Sequence, residues 1–283
     1  MGDKSRPDRT YPPLSNEILE RVDRAWEALE GGYLEEAGQD AEELMEETDE
    51  HPEVRFLLGA ALLESGFPGE SLEHLLACEG QVDDPVIHQF YLASALFDNL
   101  RPEDAEALFK AVLTTDPDAA PAHYGLAQSM EFVGRYAEAD HHYERAHELE
   151  PEDFPMPTRM TEQAFEEVVH EALQDMPEEL QPHIQKVEIV IEAMPAVESL
   201  AGEPGEDPIT PGVLGLFVGP SLREGGDYDP VSLPPRVYIY QRNLERLCGT
   251  REELIYEIRL TVYHELGHYL GLTEEELEQR GLL

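Results

Sequence analysis

The sequence predicts a two-domain protein, in which an all-α array of repeated helix pairs is followed by a small α+β domain. A 34-residue spacing of small residues runs through the first half and stops after Pro151. The second half instead combines three β-rich segments with two amphipathic helices. The length of 283 residues also favours about two domains.

The first half repeats with a period of 34 residues, and small residues mark the phase. Because two antiparallel helices approach closely only where side chains are small, we expect each pair of helices to meet at these positions. The most regular unit runs from Ala120 to Asp153 and resembles a tetratricopeptide repeat. The resemblance covers about residues 16–153 in four units. The in-phase sets are Ala37, Ser71, Ala105 and Ala139; Ala25, Gly59, Ala93 and Ala127; and Gly32, Gly66, Leu100 and Gly134.

The resemblance implies a curved solenoid with a concave face that binds a peptide or a protein. It places the fifth residue of each unit in that groove, which gives a row of Val22, Phe56, Phe90 and Tyr124. Rings beside many carboxylates favour an extended peptide with apolar and basic side chains. The alternative is that the same rings pack between repeats.

Residues 1–15 read as a flexible N-terminal tail, 152–157 as a stiff linker, and 158–283 as the second domain. This domain is predicted to begin with a helix. A final helix opens at Thr250, which forms a capping box with Glu253, and ends at Gly271 as a left-handed cap. The expected helix and strands before it are Thr161–Met176, Lys186–Ala193, Val213–Val218 and Arg236–Tyr240.

The last helix carries a metal-binding pattern. His264 and His268 are four residues apart and share one face, so two imidazoles can bind one zinc ion (Zn2+), with Glu265 as the general base. Only fifteen residues follow His268, so a distant downstream ligand is excluded. Gly271 permits a sharp turn, and Glu274 beyond it is the predicted third ligand. Its neighbours Glu275 and Glu276 are the alternatives.

The second half is similar to the small zincin-like metallopeptidases of bacteria over about residues 158–280. That family usually has Asp after the glycine, where this chain has Glu274. The resemblance implies a compact zincin fold, a bound zinc ion and peptide hydrolysis. The matching segments are 164–169, Leu180 with 187–191, 214–217, 236–240 and 253–271.

Composition limits the partners. A net charge of −43 disfavours nucleic acid and anionic membranes, and is compatible with basic peptides. Cys78 and Cys248 are far apart in the sequence, so a disulfide framework is not expected. We find no signal peptide and no apolar segment long enough to span a membrane. The sequence therefore predicts a soluble, cytoplasmic protein.

Two functions follow from these patterns. The first is a zinc-dependent metallopeptidase whose repeats recruit a substrate or a regulator. The second is an interaction protein whose zincin-like domain is an inactive or structural metal site. For the enzyme, we expect the strand at 236–240 to be a sheet edge that aligns the substrate. Tyr240, Tyr263 and Tyr269 are the candidates for stabilising the oxyanion.

Overall fold

The computed structural model describes residues 11–178, 180–201, 209–222 and 234–279, without the side chain of Glu274. These residues form two compact units. The first unit runs to Ser129 and also includes Ala201, and the second unit holds residues 130–200 and those from 209 onward. The domain boundary expected at 153–158 falls inside the second unit and stays a prediction. Residues 1–10 of the predicted tail lie outside the described residues.

The repeats form helix pairs in the predicted phase. Proline at the first position begins several of these helices, because proline lacks the N–H that a helix leaves unpaired there. The helices are α1 (Asn16–Glu30), α2 (Leu34–Glu47), α3 (Pro52–Glu64), α4 (Pro68–Cys78), α5 (Pro85–Asp98), α6 (Pro102–Thr115), α7 (Ala120–Phe132) and α8 (Tyr136–Leu149). The predicted all-α repeat array is confirmed.

Small residues lie where neighbouring helices touch, both within a pair and between successive pairs. A Cβ atom placed on Gly59 of α3 would be 2.9 Å from Cγ of Leu75 in α4. One placed on Gly125 of α7 would be 2.4 Å from the ring of Phe109 in α6. Both distances are shorter than normal packing allows, so larger residues would separate these helices. The in-phase alanines 25, 37, 93, 105, 127 and 139 are fully buried.

The turns inside the pairs use left-handed backbone at the predicted phase. Gly32, Gly66 and Gly134 have φ of 77°, 82° and 79°. Leu100 occupies the same phase with φ of 58°. A side chain in this conformation costs roughly 1–2 kcal/mol, so the repeat pattern overrides the local preference of Leu100.

The second unit is a three-stranded sheet with helices packed against it, which confirms the α+β prediction. The final helix forms as predicted, with Thr250 and Glu253 in a capping box and Gly271 in left-handed backbone at its end. After α8, the elements of the second unit are α9 (Glu162–Gln174), α10 (Gln181–Ile184), β1 (Glu188–Glu192), α11 (Val197–Leu200), β2 (Gly215–Val218), β3 (Arg236–Tyr240), α12 (Gln241–Leu247), α13 (Arg251–Leu270) and α14 (Glu274–Glu278).

The strand order is β1-β3-β2, with β1 parallel and β2 antiparallel to β3. The expectation that 236–240 is a sheet edge is therefore wrong, because β3 is paired on both sides. Val237 and Ile239 of β3 are fully buried, as suits a central strand. Among the described strands, β2 is the edge next to α13.

A buried charge network connects α7 and α8 to α12 within the second unit. The Glu131 carboxylate, whose side chain is fully buried, accepts hydrogen bonds from the Tyr143 hydroxyl (2.9 Å) and the Arg159 guanidinium (2.8 Å). Arg246 and Arg242 of α12 lie 3.3 and 3.4 Å from it. Three arginines therefore surround one carboxylate.

Two further carboxylates complete this network. Arg159 also pairs with Asp140 and with Glu245 of α12. Glu245 is 1% exposed and accepts from the backbone N–H of Met160 (2.9 Å) and the Gln241 amide (2.7 Å). Burial lowers the pKa of Arg159, but the charges of Glu131, Asp140 and Glu245 outweigh it and raise the pKa above its ordinary value. We call these three carboxylates with Arg159, Arg242 and Arg246 the charge network.

No helix within the described part of the chain combines the length and the apolar character needed to cross a lipid bilayer.

Candidate functional site

Helix α13 positions the predicted metal ligands. Leu254, Ile258, Val262 and Leu266 follow one another at four-residue intervals, and all are fully buried in the core of the second unit. This stripe fixes the rotation of the helix about its axis. The two histidines of the pattern consequently lie together on a different, partly accessible face.

The two histidine side chains converge. Nε2 of His264 lies 2.9 Å from Nε2 of His268, and the ring centroids are 4.6 Å apart. A tetrahedral zinc ion bound by two imidazoles separates their nitrogens by roughly 3.3 Å. The pair therefore suits one shared ion after a shift of a few tenths of an ångström.

Glu265 lies against the edge strand. Its side chain is largely buried, at 7% exposure. A Cβ atom on Gly215 of β2 would be 2.7 Å from Cγ and 3.0 Å from Oε1 of Glu265. The same atom would be 2.8 Å from Cγ2 of Thr261. Only glycine at position 215 lets the strand approach the carboxylate this closely.

A cavity of about 290 Å³ opens beside these groups. Its walls come from the start of β2 and from the face of α13 that precedes the histidines, and they are mostly apolar. The residues that line it are Val213, Leu214, Gly215, Glu257, Leu260, Thr261, His264 and Glu265. An apolar cavity that ends at a carboxylate and an imidazole is an ordinary form of substrate site.

The three candidate tyrosines occupy different places. The Tyr269 hydroxyl donates to the carbonyl of His183 at 3.3 Å. Tyr263 lines a separate cavity with Met176 and Leu270. Tyr240 is fully buried, and its hydroxyl has no hydrogen-bond partner among the described atoms.

The environment of Tyr240 relates it to the candidate site. Burial raises the pKa of its hydroxyl, and the charges of Glu192, Tyr238 and Glu265 raise it further. The hydroxyl is thus kept protonated, which a hydrogen-bond donor needs. The charge of Glu265 thus affects the Tyr240 hydroxyl, although this hydroxyl is buried and does not line the cavity.

The chain reverses after Gly271, as the spacing predicts. Gly271 has φ of 82°, and its N–H bonds the carbonyls of Gly267 and His268. Leu277 of α14 is fully buried and packs where a Cβ on Gly267 would stand, 2.3 Å from its Cδ2. This contact packs α14 against the part of α13 that carries the histidines.

The third ligand stays a prediction. Glu274 is the first residue of α14, and its side chain lies outside the described atoms. Glu276 closes a capping box with Thr273, and Glu275 is exposed. Among the described side chains, no three His, Cys, Asp or Glu residues converge as a metal site.

Helix α12 supports the edge strand, a role that the sequence did not reveal. The Asn243 amide donates to the carbonyls of Pro211 (2.8 Å) and Val213 (2.6 Å), just before β2. The Tyr240 N–H bonds the Leu214 carbonyl at 2.9 Å. Four of the seven α12 residues are polar or charged and buried, so periodicity of apolar residues gave no signal for this helix.

The residues of the aromatic row predicted on the repeats differ in their burial. Val22 and Phe56 are buried, at 6% and 4% exposure, which agrees with packing between repeats. Phe90 and Tyr124 are half-buried. Phe90 also packs on Phe109 and Tyr91, with ring centroids 6.0 and 5.5 Å away.

Comparisons with known proteins find one family match in each part of the chain. Residues 184–282 match a family model described as zincin-like metallopeptidase. Residues 96–156 match a tetratricopeptide repeat family model. No curated protein matches the chain.

Solved structures resemble part of the chain. One is YrrB, described as a TPR protein with an unusual peptide-binding site. It is 18% identical to this chain, and the match covers 47% of this chain and 69% of YrrB with a TM-score of 0.40. TTC0263, a thermophilic TPR protein of Thermus thermophilus, is 19% identical over 47% and 75%, with a TM-score of 0.41. MamA from Desulfovibrio magneticus is 18% identical over 50% and 79%, also with 0.41.

Proposed function

We propose that this chain, which carries tetratricopeptide repeats and a zincin-like metallopeptidase domain, is a zinc-dependent peptidase that recruits a protein or peptide through its repeats. The observation that carries the proposal is the convergence of the His264 and His268 Nε2 atoms beside the buried Glu265. We assign recruitment to residues 16–153 and hydrolysis to 158–283. The buried free thiols suit a reducing compartment, the cytoplasm.

His264, His268 and Glu274 would bind the ion. Zinc held there would supply Lewis-acid chemistry, which activates water and polarises a peptide carbonyl. Glu265 takes the proton that the attacking water loses and delivers it to the leaving amine. The close strand at Gly215 keeps bulk water away from that carboxylate.

The sheet edge aligns the substrate. Because β2 pairs only with β3 among the described strands, its other edge can pair with an extended peptide. The adjoining 290 Å³ cavity accepts one apolar side chain of that peptide.

Glu265→Gln tests the catalytic role. The full-length chain, loaded with zinc, is incubated with an unbiased peptide library, and cleavage is read by mass spectrometry. We expect kcat to fall at least about a hundredfold in Glu265→Gln while zinc stays bound at one equivalent. Glu252→Gln, an exposed glutamate in the first turn of α13, is the matched control and keeps full activity. If the wild-type chain binds zinc but cleaves no peptide, the result would instead indicate an interaction protein with an inactive or structural metal site.

Zinc affinity tests the ligand set. Loss of a direct ligand is expected to cost at least about a hundredfold in affinity, since even partners of ligands are worth 10–100-fold. Competition with a chelating dye should therefore show this loss in His264→Ala and Glu274→Gln, and little change in Glu275→Gln. Equal affinity in Glu274→Gln and the wild type would remove Glu274 from the metal site.

A further inference from the structure

We propose that Trp26, Phe56 and Tyr91, together with Glu30 and Glu64, form a binding site for one cationic side chain, a lysine or arginine of the recruited partner. The three rings are called the aromatic cluster. The inference rests on the proposed recruitment of a partner by the repeats and specifies the chemistry of the partner's side chain. It does not depend on hydrolysis.

The aromatic cluster joins the first helices of three successive repeats, α1, α3 and α5. The ring centroids of Trp26 and Phe56 are 5.0 Å apart, those of Phe56 and Tyr91 5.8 Å, and those of Trp26 and Tyr91 5.9 Å. Phe56 is 4% exposed and forms the base. Trp26 and Tyr91 keep part of their surface accessible. Aromatic faces that are fixed and partly accessible attract cations through the ring quadrupole.

Two carboxylates lie one repeat apart in sequence, at the ends of the helices that carry Trp26 and Phe56. Glu30 is the last residue of α1 and Glu64 the last of α3. Burial raises the pKa of the Tyr91 hydroxyl, which Glu64 and then Glu30 raise further, to about 12. Burial also raises the pKa of the Glu64 carboxyl. Both carboxylates therefore influence Tyr91, while their side chains stay exposed to solvent and open to a ligand.

The position of these carboxylates is unfavourable for the free protein. A helix C-terminus carries a partial negative charge, so an anion there is unfavourable. Neither α1 nor α3 has a basic residue in its last turn. Among the described residues, neither Glu30 nor Glu64 has an ion-pair partner. A bound cation would interact favourably with the carboxylates, the helix ends and the rings.

The surrounding charge selects the same ligand. Residues 11–129 contain 27 Asp and Glu but only five Lys and Arg. Four of those five cations already pair with other carboxylates; they are Arg21, Arg55, Arg101 and Lys110. An anionic side chain would be repelled, and a neutral one would leave Glu64 uncompensated.

Trp26 provides the measurement, because it is the one tryptophan of the chain. The probe is a blocked nonapeptide with a central lysine flanked by leucines, and its twin carries acetyl-lysine. Full-length Glu265→Gln protein is titrated, so that the probe is not cleaved. We expect a saturable change in Trp26 fluorescence with the lysine peptide. Binding of the acetylated twin should be at least about tenfold weaker, which corresponds to about 1.4 kcal/mol.

Variants in the same background complete the test. Glu64→Gln and Tyr91→Leu should each weaken binding of the lysine peptide about tenfold. Glu70→Gln, an exposed glutamate on α4, is the matched control and should bind like the parent. Binding should also weaken as the pH falls, because the raised pKa of Glu64 makes it lose charge early.

The opposing outcomes are equally definite. Equal affinity for both peptides, an equal effect of Glu64→Gln and Glu70→Gln, or no saturable change up to about 1 mM would overturn the site. Circular dichroism of each variant distinguishes these results from loss of fold. Since the readout is binding, a chain that cleaves no peptide can still confirm the site, and an active peptidase can still refute it.

Discussion

Glu131→Gln is expected to destabilise the second unit while leaving the first unit unchanged. The substitution keeps the shape of a fully buried side chain but removes the negative charge that faces Arg159, Arg242 and Arg246. Breaking a buried ion pair typically costs about 3–5 kcal/mol. Arg159 and Arg242 keep 28% and 21% of their side chains accessible, so water screens part of the loss. We therefore expect a decrease of about 3 kcal/mol in the unfolding free energy.

Urea unfolding separates the two units. Far-UV circular dichroism follows the whole chain, whereas Trp26 fluorescence follows the first unit alone. We expect the transition of the second unit to move to lower urea, with the Trp26 transition unchanged. Glu138→Gln is the matched control: its carboxylate pairs with Arg135 but is 58% exposed, so about 0.5 kcal/mol or less should be lost. A change below about 0.5 kcal/mol in Glu131→Gln would refute the stabilising role of the charge network.

Two further predictions concern buried groups. Burial raises the pKa of Cys78 to about 12 from an ordinary 9.0; the unfolded chain therefore loses this proton first, and the stability of the first unit should fall above pH 9 by up to about 1.4 kcal/mol per pH unit. Urea titrations read by Trp26 at pH 8 and 10 measure this decrease, and a slope that persists in Cys78→Ser would assign it to another group. Tyr240→Phe should leave the unfolding free energy of the second unit unchanged or slightly raised, because the buried hydroxyl it removes has no described partner. A thermal midpoint several degrees lower would contradict that reasoning.

The sequence predicted what depends on local pattern. The 34-residue phase, the capping box at Thr250 and the left-handed Gly271 each require particular residues at fixed spacings, and the structure has all of them. The convergence of His264 with His268 follows from the helical period in the same way. These features can be read without knowing the neighbours of each element.

The sequence failed where distant segments decide. Strand order depends on which segments pair, and the local pattern of 236–240 predicts an edge strand although the segment lies at the centre of the sheet. Gly215 acquires its role from Glu265, fifty residues later. Helix α12 was missed because its buried side chains are polar and are satisfied by partners from far away. Phe56 had the right residue type for a groove, but its exposure is set by Trp26 and Tyr91.

The charge network has a consequence for the exchange of domains between proteins. Glu131 and Asp140 belong to the range that matches the repeat family, Arg242, Glu245 and Arg246 belong to the range that matches the zincin-like family, and Arg159 lies in neither. Recombination at the 152–157 linker would therefore leave Glu131 and Asp140 on one fragment, and the three arginines with Glu245 on the other. A zincin-like domain transplanted onto a foreign repeat array would need acidic residues at the positions of Glu131 and Asp140 in the last helix pair of that array. The two modules are thus expected to be inherited together.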